Sequence, residues 1–439
     1  MTRTPISTPG ATALIALLNG VRVGHVSQTP SGTFRFAYYE SWRNEEYAYP
    51  LSLSLPLSAV EHGHAATAAF LWGLLPDNAR TLQRYGRLFG VAAGNPVALL
   101  SHLGRDCAGA VQFARPDAIA ELEQPSRSKH VEWLSDEDVA SELRSVRETG
   151  MPTNSKGAFG QFSLAGAQPK IALLEEGGRW GKPSGRTPSN RILKPPSGEL
   201  HGFVENEHFC LELANALELG AVSSEVRRFA DEIAIVVRRF DRVKRGRVYE
   251  RVHQEDFCQA RGVLPTRKYQ SEGGPGITEV ITMLREDSLR ADEDIERFLR
   301  ATALNWVIAA TDAHAKNYAL LHGTGGVRLA PFYDVLSYLP YADNALHRVN
   351  LAMSIGGEYG VRRVNRTRWE RLAKENGMSA TYVLDNVDEV LTRLPTALKS
   401  VTQATLETGL DRKAIRGLAA RIRERTRECR AMLSSGTST

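Results

Sequence analysis

Cysteine is scarce in this chain of 439 residues, and long apolar runs are missing. The four cysteines, at positions 107, 210, 258 and 429, are far apart and form no Cys-x-x-Cys pair, which argues against a structural zinc site and a disulfide framework. No segment approaches the roughly 18 apolar residues that a membrane-spanning helix requires. The sequence also lacks an internal repeat. These absences predict a soluble globular protein in a reducing cytoplasm.

The composition is that of a folded chain with a mild excess of positive charge. Hydrophobic residues make up 42% of the sequence, which is ample for buried cores, and the length predicts two or three domains. The net charge of +5 and the isoelectric point near 9.0 are compatible with an anionic partner or substrate such as nucleotide, tRNA or DNA. The apolar run 11–18 has no cleavage site after it, so a first strand explains it better than a targeting segment.

The first part of the chain predicts a strand-rich unit. Asn19-Gly20, between apolar runs, is typical of a β-hairpin with a type I′ turn. Residues 34–39 and 51–55 alternate between apolar and polar, as half-buried strands do. Residues 69–89 predict two helical pieces, with Asp77 able to cap the second. We therefore assign a β-rich N-terminal subdomain to residues 1–114.

A polar interval at 115–152, with one short helix at 136–147, forms a predicted connecting segment. Strand-like and loop sequences then fill 153–240, and long helical runs dominate 241–439, notably 292–310, 369–375, 383–401 and 411–432. This order predicts an α+β, bilobal, kinase-like fold. It has a mixed α/β N-terminal lobe with an added small subdomain, and an all-helical C-terminal lobe.

A glycine- and alanine-rich loop opens the second unit. It runs from Lys156 to Lys170 and contains Ala165-Gly166-Ala167-Gln168. Small residues let backbone N–H groups approach phosphate oxygens closely. The loop matches neither the Walker sequence nor the kinase Gly-x-Gly-x-x-Gly, so an ordinary turn and a nucleotide loop both remain open.

Two further segments resemble parts of a kinase lobe. Lys194 ends a short apolar strand, where a kinase lysine pairs with the α- and β-phosphates. Glu207 opens a helical run and is a candidate to orient that lysine. A surface lysine and a first-turn glutamate favoured by the helix dipole are the plain alternatives. The buried strand 233–237 leads into Arg238-Arg239-Phe240-Asp241-Arg242, a predicted hinge whose backbone can grip adenine.

Residues 310–321 contain the highest concentration of side chains that can take part in catalysis. Asp312 and Asn317 have the spacing of the kinase catalytic loop, in which an aspartate accepts the substrate hydroxyl proton and an asparagine holds magnesium. Asp334, in a short apolar segment downstream, is the predicted second metal ligand. Alone, the stretch is also compatible with a solvated loop. A metal hydrolase that uses Asp312, His314 and Asp334 is a further alternative.

The last helix carries many arginines, interleaved with Glu424 and Glu428. A solvated face explains such a run, and a nucleic-acid site is the alternative. The corresponding rival function is a DNA-binding co-repressor with an inactive kinase-like fold.

Ordered motifs across nearly the whole chain resemble the HipA family, bacterial serine/threonine kinase toxins of type II toxin–antitoxin modules. They are Pro50-Leu51-Ser52-Leu53-Ser54-Leu55-Pro56-Leu57, Leu75-Pro76-Asp77, Gly104-Arg105-Asp106, Ala165-Gly166-Ala167-Gln168, Arg239-Phe240-Asp241-Arg242, Gln254-Glu255-Asp256, Gly273-Gly274-Pro275-Gly276 and Thr311-Asp312 with His314-Ala315-Lys316-Asn317.

The resemblance implies a role for each matching residue. Asp312 is the catalytic base, Asn317 and Asp334 bind Mg²⁺, and Ser163 corresponds to the family's autophosphorylation site. The implied ATP contacts are Ala165, Gly166, Ala167, Gln168, Lys170, Lys194, Arg238, Phe240, Gln254 and His314. Family members phosphorylate aminoacyl-tRNA synthetases, typically glutamyl, cause growth arrest and persistence, and are neutralised by a HipB-like DNA-binding antitoxin.

The sequence departs from the family's pattern at Pro169 and Ile171, where glutamate and threonine are usual, and at Arg238, where glutamate is usual. Proline cannot donate an N–H. We therefore expect the loop to contact fewer phosphate oxygens.

Overall fold

The computed structural model describes residues 13–123, 131–153, 163, 165–196, 201–246, 248–342 and 345–434. Residues 156–162 and 164 of the predicted phosphate loop lie outside the described part of the chain. Among the described residues, every helix is too short or too polar to cross a membrane.

The N-terminal unit is an antiparallel five-stranded sheet covered by helices. Its strands are β1 (Leu14–Leu18), β2 (Val21–Gln28), β3 (Phe34–Tyr38), β4 (Glu61–His62) and β5 (Val111–Ala114), in the order β4-β3-β2-β1-β5. Its helices are α1 (Glu40–Arg43), α2 (His64–Gly73), α3 (Ala79–Phe89) and α4 (Pro96–Leu103). Asn19 and Gly20 have φ of 50° and 86°, as a type I′ turn requires, so the predicted hairpin is confirmed.

Two local predictions in this unit are wrong. Residues 51–55 form turns rather than a strand, although Leu51 and Leu55 are buried. Asp77 does not cap α3. That position belongs to Asn78, whose side chain accepts hydrogen bonds from the N–H groups of Arg80 and Thr81. The cap is the residue immediately before the first helical turn, which leaves the Asp77 carboxylate available for other contacts.

A six-stranded sheet forms the next layer. Its strands are β6 (Val131–Leu134), β7 (Ile171–Glu176), β8 (Arg179–Pro183), β9 (Arg191–Lys194), β10 (Ser224–Phe229) and β11 (Glu232–Arg238), in the order β10-β11-β9-β7-β8-β6. Helices α6 (Asp136–Thr149) and α7 (Phe203–Ala216) pack on this sheet, and the short α5 (Ala120–Glu123) precedes it. Part of the 115–152 interval therefore belongs to this sheet and its core.

The second lobe is mainly helical. Its helices are α8 (Phe257–Ala260), α9 (Ile277–Asp287), α10 (Ala291–Val307), α11 (Arg366–Glu375), α12 (Ala380–Glu407) and α13 (Arg412–Ser434). It also contains β12 (Arg242–Arg245), β13 (Val248–Arg251), β14 (Gln254–Asp256), β15 (Ala319–Gly323), β16 (Gly326–Leu329), β17 (Asn350–Ile355) and β18 (Glu358–Gly360). The bilobal α+β fold is confirmed, but the lobe is not entirely helical. Strands of three to six residues carry too little periodicity to be predicted.

A buried group of charges joins the N-terminal unit to the hinge between the lobes. This hinge cluster consists of Asp106, Arg239, Asp241, Arg242 and Arg251. Arg242 Nη2 lies 2.8 Å from Asp106 Oδ1, and Arg239 Nη2 lies 2.8 Å from Asp241 Oδ2. Burial opposes charge on Asp106, but the surrounding guanidinium groups hold the pKa of this carboxyl below its ordinary value. The cluster therefore connects elements that are distant in sequence.

Candidate active site

Lys194 lines a cleft between the two lobes. It is the last residue of β9, and its ammonium donates a hydrogen bond to Glu207 Oε1 of α7 at 2.6 Å. It also contacts Asp334, which belongs to the second lobe. Burial disfavours the charged form of Lys194, but Asp334 and Glu207 together keep its pKa above the ordinary value. The lysine is therefore a fixed cation that joins the two lobes.

Asp334 holds its carboxylate at the edge of this cleft through an uncommon backbone conformation. Its φ is 53°, in the left-handed region, which a residue with a side chain adopts at a cost. The side chain is 31% exposed. Burial would raise the pKa of Asp334, but Lys194 and Lys170 hold it below its ordinary value, so the carboxylate stays anionic.

The catalytic-loop candidate follows α10 and precedes β15. The Asn317 Nδ2 donates a hydrogen bond to the Asp312 carbonyl oxygen at 2.6 Å, so the two ends of the motif are directly linked. The Asp312 side chain is 65% exposed and accepts a hydrogen bond from the Tyr269 hydroxyl at 2.5 Å. His314 Nε2 lies 3.7 Å from the Asp312 carboxylate.

Most of the predicted site residues meet in this one cleft. Its lining includes Ala165, Gly166, Lys170, Lys194, Glu207, Arg238, Phe240, Gln254, Asn317 and Asp334. The pairing of β14 with β15 places Gln254 opposite Leu321, just beyond the catalytic loop. The ring of Phe240 stacks on Tyr333 with 5.7 Å between centroids. This stack provides an apolar surface at the hinge.

The remaining predicted residues lie around the cleft. Ala167 and Gln168 line a neighbouring cavity on the far side of the phosphate loop, together with Arg80 and Arg84. Ser163 is buried, and its hydroxyl donates a hydrogen bond to the Leu74 carbonyl oxygen at 2.6 Å. The Ser163 N–H donates to the Asp106 carbonyl oxygen.

The residues of the cleft fit a nucleoside triphosphate. Gly166 has a φ of 104°, a conformation that favours glycine, and a Cβ there would lie 2.6 Å from Lys170 Nζ and displace that ammonium. Lys170 and Lys194 offer positive charge. Among the described residues, the buried His314 Nδ1 beside the catalytic loop has no hydrogen-bond partner, whereas Gln168 lies in the neighbouring cavity.

Asn317 and Asp334 supply the oxygen ligands that Mg²⁺ prefers. The hydrolase alternative is less well matched. In the described ranges, no three His, Cys, Asp or Glu side chains lie close enough together to hold a metal, so Asp312, His314 and Asp334 do not form such a centre.

Sequence reasoning missed three residues around the catalytic loop. Lys316 stands inside the motif but received no role. Tyr269 and Asp77, which contact Asp312 and Lys316, are 43 and 239 residues away from those partners in sequence. No local pattern predicts contacts across such separations.

Comparisons with known proteins show similarity over most of the chain. Residues 14–114 match the model for the HipA N-terminal domain, and residues 162–398 match that for the HipA-like C-terminal domain. The Sinorhizobium fredii protein Y4mE is 33% identical over 410 residues, covering 93% of this chain and 96% of that protein. The serine/threonine-protein kinase toxin HipA of Shewanella oneidensis is 27% identical over 410 residues, covering 90% of each chain.

The fold is similar to that of HipA in a solved complex of Shewanella oneidensis HipA, HipB and operator DNA. The TM-score is 0.82, with 24% sequence identity, and the match covers 96% of this chain and 98% of that one. Both parts of the family's sequence pattern and its fold are therefore present, and the chain belongs to the HipA family.

Proposed function

We propose that this protein is a serine/threonine protein kinase toxin that transfers the γ-phosphate of ATP, with Mg²⁺, to a serine of a translation enzyme. The observation that supports this best is the contact of Lys194 with both Glu207 and Asp334, in a cleft that Asn317 also lines. A phosphate-binding lysine, its orienting glutamate and the metal ligands of both lobes are what phosphoryl transfer requires. A relative of similar length is named a serine/threonine-protein kinase toxin.

In the proposed reaction, the acceptor hydroxyl oxygen forms a bond to the γ-phosphorus as the bond to the β-γ bridging oxygen breaks. Asp312 takes the hydroxyl proton, and ADP leaves. Lys170 and Lys194 hold and neutralise the phosphates, while Asn317 and Asp334 would hold Mg²⁺, which supplies further charge neutralisation. Adenine would lie at the Arg238–Phe240 hinge. Positioning and electrostatic stabilisation provide most of the acceleration.

Substrate and regulation follow the family's pattern in this proposal. The acceptor protein is an aminoacyl-tRNA synthetase, typically glutamyl, in the cytoplasm, and its modification halts growth. Phosphorylation of Ser163 inactivates the kinase. The hydroxyl of Ser163 is buried against Leu74, where a group carrying nearly two negative charges cannot be accommodated without moving the loop.

A HipB-like antitoxin neutralises the toxin, and operator DNA is contacted through that complex. The similar Shewanella oneidensis structure contains HipA with HipB and operator DNA. Direct DNA binding by α13 is less well supported. Arg425, Arg421 and Arg430 of this helix donate hydrogen bonds to backbone carbonyls of the second lobe, so part of its charge is directed into the protein.

A phosphotransfer assay with Asp312→Asn as the matched variant tests the proposal. Wild-type protein is incubated with γ-labelled ATP and Mg²⁺, and labelled peptides are mapped. We expect phosphate on Ser163 and a loss of about 100-fold or more in the variant, the usual contribution of a general base. The unfolding midpoint of the variant should be unchanged, since the Asp312 side chain is largely exposed.

Two results would count against the kinase assignment. One is ATP hydrolysis by the wild type with no phosphorylated protein product. The other is full phosphotransfer by Asp312→Asn, which would remove Asp312 from its role as base. Steep salt dependence of DNA binding by the chain alone would favour the co-repressor alternative.

A further inference from the structure

Asp77 brings a carboxylate from the N-terminal unit into the region between the two kinase lobes. It follows α2 and precedes the Asn78 cap of α3. Its side chain is only 10% exposed, and its Oδ1 accepts a hydrogen bond from Lys316 Nζ at 2.6 Å. Its Oδ2 accepts one from Lys268 Nζ at 3.2 Å. One carboxylate therefore holds two lysines of the second lobe.

The backbone of the same residue contacts the phosphate loop. The Asp77 N–H donates a hydrogen bond to the Gly166 carbonyl oxygen at 3.1 Å, and Pro76 and Gly166 form a parallel bridge. Gly166 is the glycine whose missing Cβ leaves room for Lys170. Asp77 thus touches the phosphate loop through its backbone and the catalytic loop through its side chain.

Apart from Asp77, few groups in the described part of the chain lie where they can hold the Lys316 ammonium in place. Its side chain is 3% exposed, and it lines the nucleotide cleft together with Asn317. The buried Asp256 also lies near it, but burial raises the pKa of Asp256 to about 7. Asp256 caps α8 by accepting a hydrogen bond from the Gln259 N–H at 2.9 Å, whereas the Asp77 carboxylate accepts one directly from Lys316, and the lysines around Asp77 hold its pKa below the ordinary value against the effect of burial.

The other lysine connects Asp77 to the opposite end of the catalytic loop. Lys268 immediately precedes Tyr269, whose hydroxyl donates to Asp312. The Lys316 carbonyl oxygen accepts a hydrogen bond from the Tyr333 hydroxyl at 2.8 Å, next to Asp334. The contacts that begin at Asp77 therefore reach both the candidate base and the candidate metal ligands.

We propose that Asp77 is a positioning residue of the phosphotransfer reaction. It fixes Lys316 beside Asn317, and it holds the phosphate loop and the catalytic loop at fixed positions relative to each other. The inference rests on the proposed kinase function. It makes the N-terminal unit a part of the active site rather than an appendage, because the carboxylate that orients the catalytic loop comes from outside the two kinase lobes.

The test compares Asp77→Asn with wild type in the labelled-ATP assay, with kcat and the KM for ATP measured separately. Asparagine keeps the shape of the side chain and removes its charge. We expect kcat to fall about 10- to 100-fold while the KM for ATP changes less than about 3-fold, as for the loss of an interaction that positions reacting groups. Glu61→Gln is the matched control. It removes the charge of an exposed partner of Arg35 in the same unit, and its kcat should equal that of wild type.

A double-mutant comparison separates positioning from a general structural effect. If Asp77 acts mainly through Lys316, Asp77→Asn should cost much less activity in the Lys316→Met background than in wild type, because only the contact with Lys268 is then left to lose. Amide hydrogen exchange in residues 312–318 should be faster in Asp77→Asn, whereas exchange in the core helix α12 should not change. Should Asp77→Asn fail to fold, Lys316→Met, with the same exchange measurement, tests the contact from its other side.

An unchanged kcat in Asp77→Asn, or losses that simply multiply in the double variant, would overturn this inference and leave the kinase assignment intact. Absence of phosphotransfer in the wild type would instead overturn the proposed function, and the positioning role with it. Normal exchange in the catalytic loop of a variant with reduced kcat would also exclude positioning through this contact.

Discussion

Two buried groups of charge in this protein differ in composition and exposure. The hinge cluster places three guanidinium groups against two carboxylates, and the carbonyl oxygens of Cys107 and Gly109 accept further hydrogen bonds from its arginines. The second group, called here the cleft cluster, consists of Lys170, Lys194, Glu207 and Asp334. Both groups border the cleft, since Arg239 and Asp241 also line it, but the hinge-cluster side chains are at most 9% exposed, whereas that of Asp334 is 31% exposed.

The difference shows how the surroundings of buried charges indicate their role. Arginine is always charged and offers a rigid fork of donors, whereas lysine is a point charge on a flexible stem. The hinge cluster uses arginine and pairs each guanidinium with a carboxylate, so its contribution is to connect the N-terminal unit to the hinge. The cleft cluster uses lysine and leaves charge facing an open cavity, which suits a ligand that changes during a reaction.

The largest expected effect is on stability, from Asp106→Ala in the hinge cluster. This change leaves three buried guanidinium groups with one carboxylate, and breaking a buried ion pair from one side costs about 3 to 5 kcal/mol. Urea unfolding should show this loss in the free energy of unfolding. Glu61→Ala, at an exposed pair, should change it by less than about 1 kcal/mol. A similar small loss for Asp106→Ala would show that the cluster is not a structural connection.

Lys194→Met in the cleft cluster should have a large effect on activity and a smaller effect on stability. We expect kcat/KM for ATP to fall at least about 100-fold, or about 2.7 kcal/mol of transition-state stabilisation. The loss of stability should be smaller than for Asp106→Ala, since the cleft admits water and burial already raises the pKa of Glu207, which can take up a proton. Parallel activity and urea measurements check both parts. A stability loss equal to that of Asp106→Ala would remove the distinction between the clusters.

Tyr269→Phe, outside both clusters, should have the smallest effect. It removes one hydrogen bond to the exposed Asp312 carboxylate, worth about 1 kcal/mol. Because the acceptor hydroxyl must donate to the same carboxylate, we expect kcat/KM for the protein acceptor to rise by up to about 5-fold, measured with a constant concentration of ATP. A fall of similar size would indicate that the tyrosine orients Asp312 instead of competing with the substrate.

The sequence predicted those parts of the fold that depend on local patterns. The hairpin at Asn19-Gly20, the helix of Glu207 and the strand that ends at Lys194 were all found. The prediction of a strand at 51–55 was wrong because alternating leucines can also be buried by successive turns. Short strands of the second lobe were missed because three to six residues carry too little periodicity, even where the partner is the next strand, as in β12–β13, β15–β16 and β17–β18.

For the candidate site, too, local patterns in the sequence allowed some residues to be predicted, but contacts between distant segments could not be predicted. Spacing made Asp312 and Asn317 candidates, and Lys194 and Asp334 became candidates because each belongs to a short apolar segment. The contacts of Asp77 with Lys316 and Lys268 were not predictable, since they exist only after the N-terminal unit has packed against both lobes. The roles assigned to these residues stay predictions until they are measured.

The position of strand β6 limits where the protein can be cut into recombinant fragments. It forms one edge of the six-stranded sheet and is hydrogen-bonded only to β8 within that sheet. A recombinant fragment that starts after residue 134 would expose the backbone groups of residues 180–183 in β8 that face β6, and unpaired edges of this kind promote aggregation. Fragments intended for crystallography or screening should therefore retain the chain from before Val131.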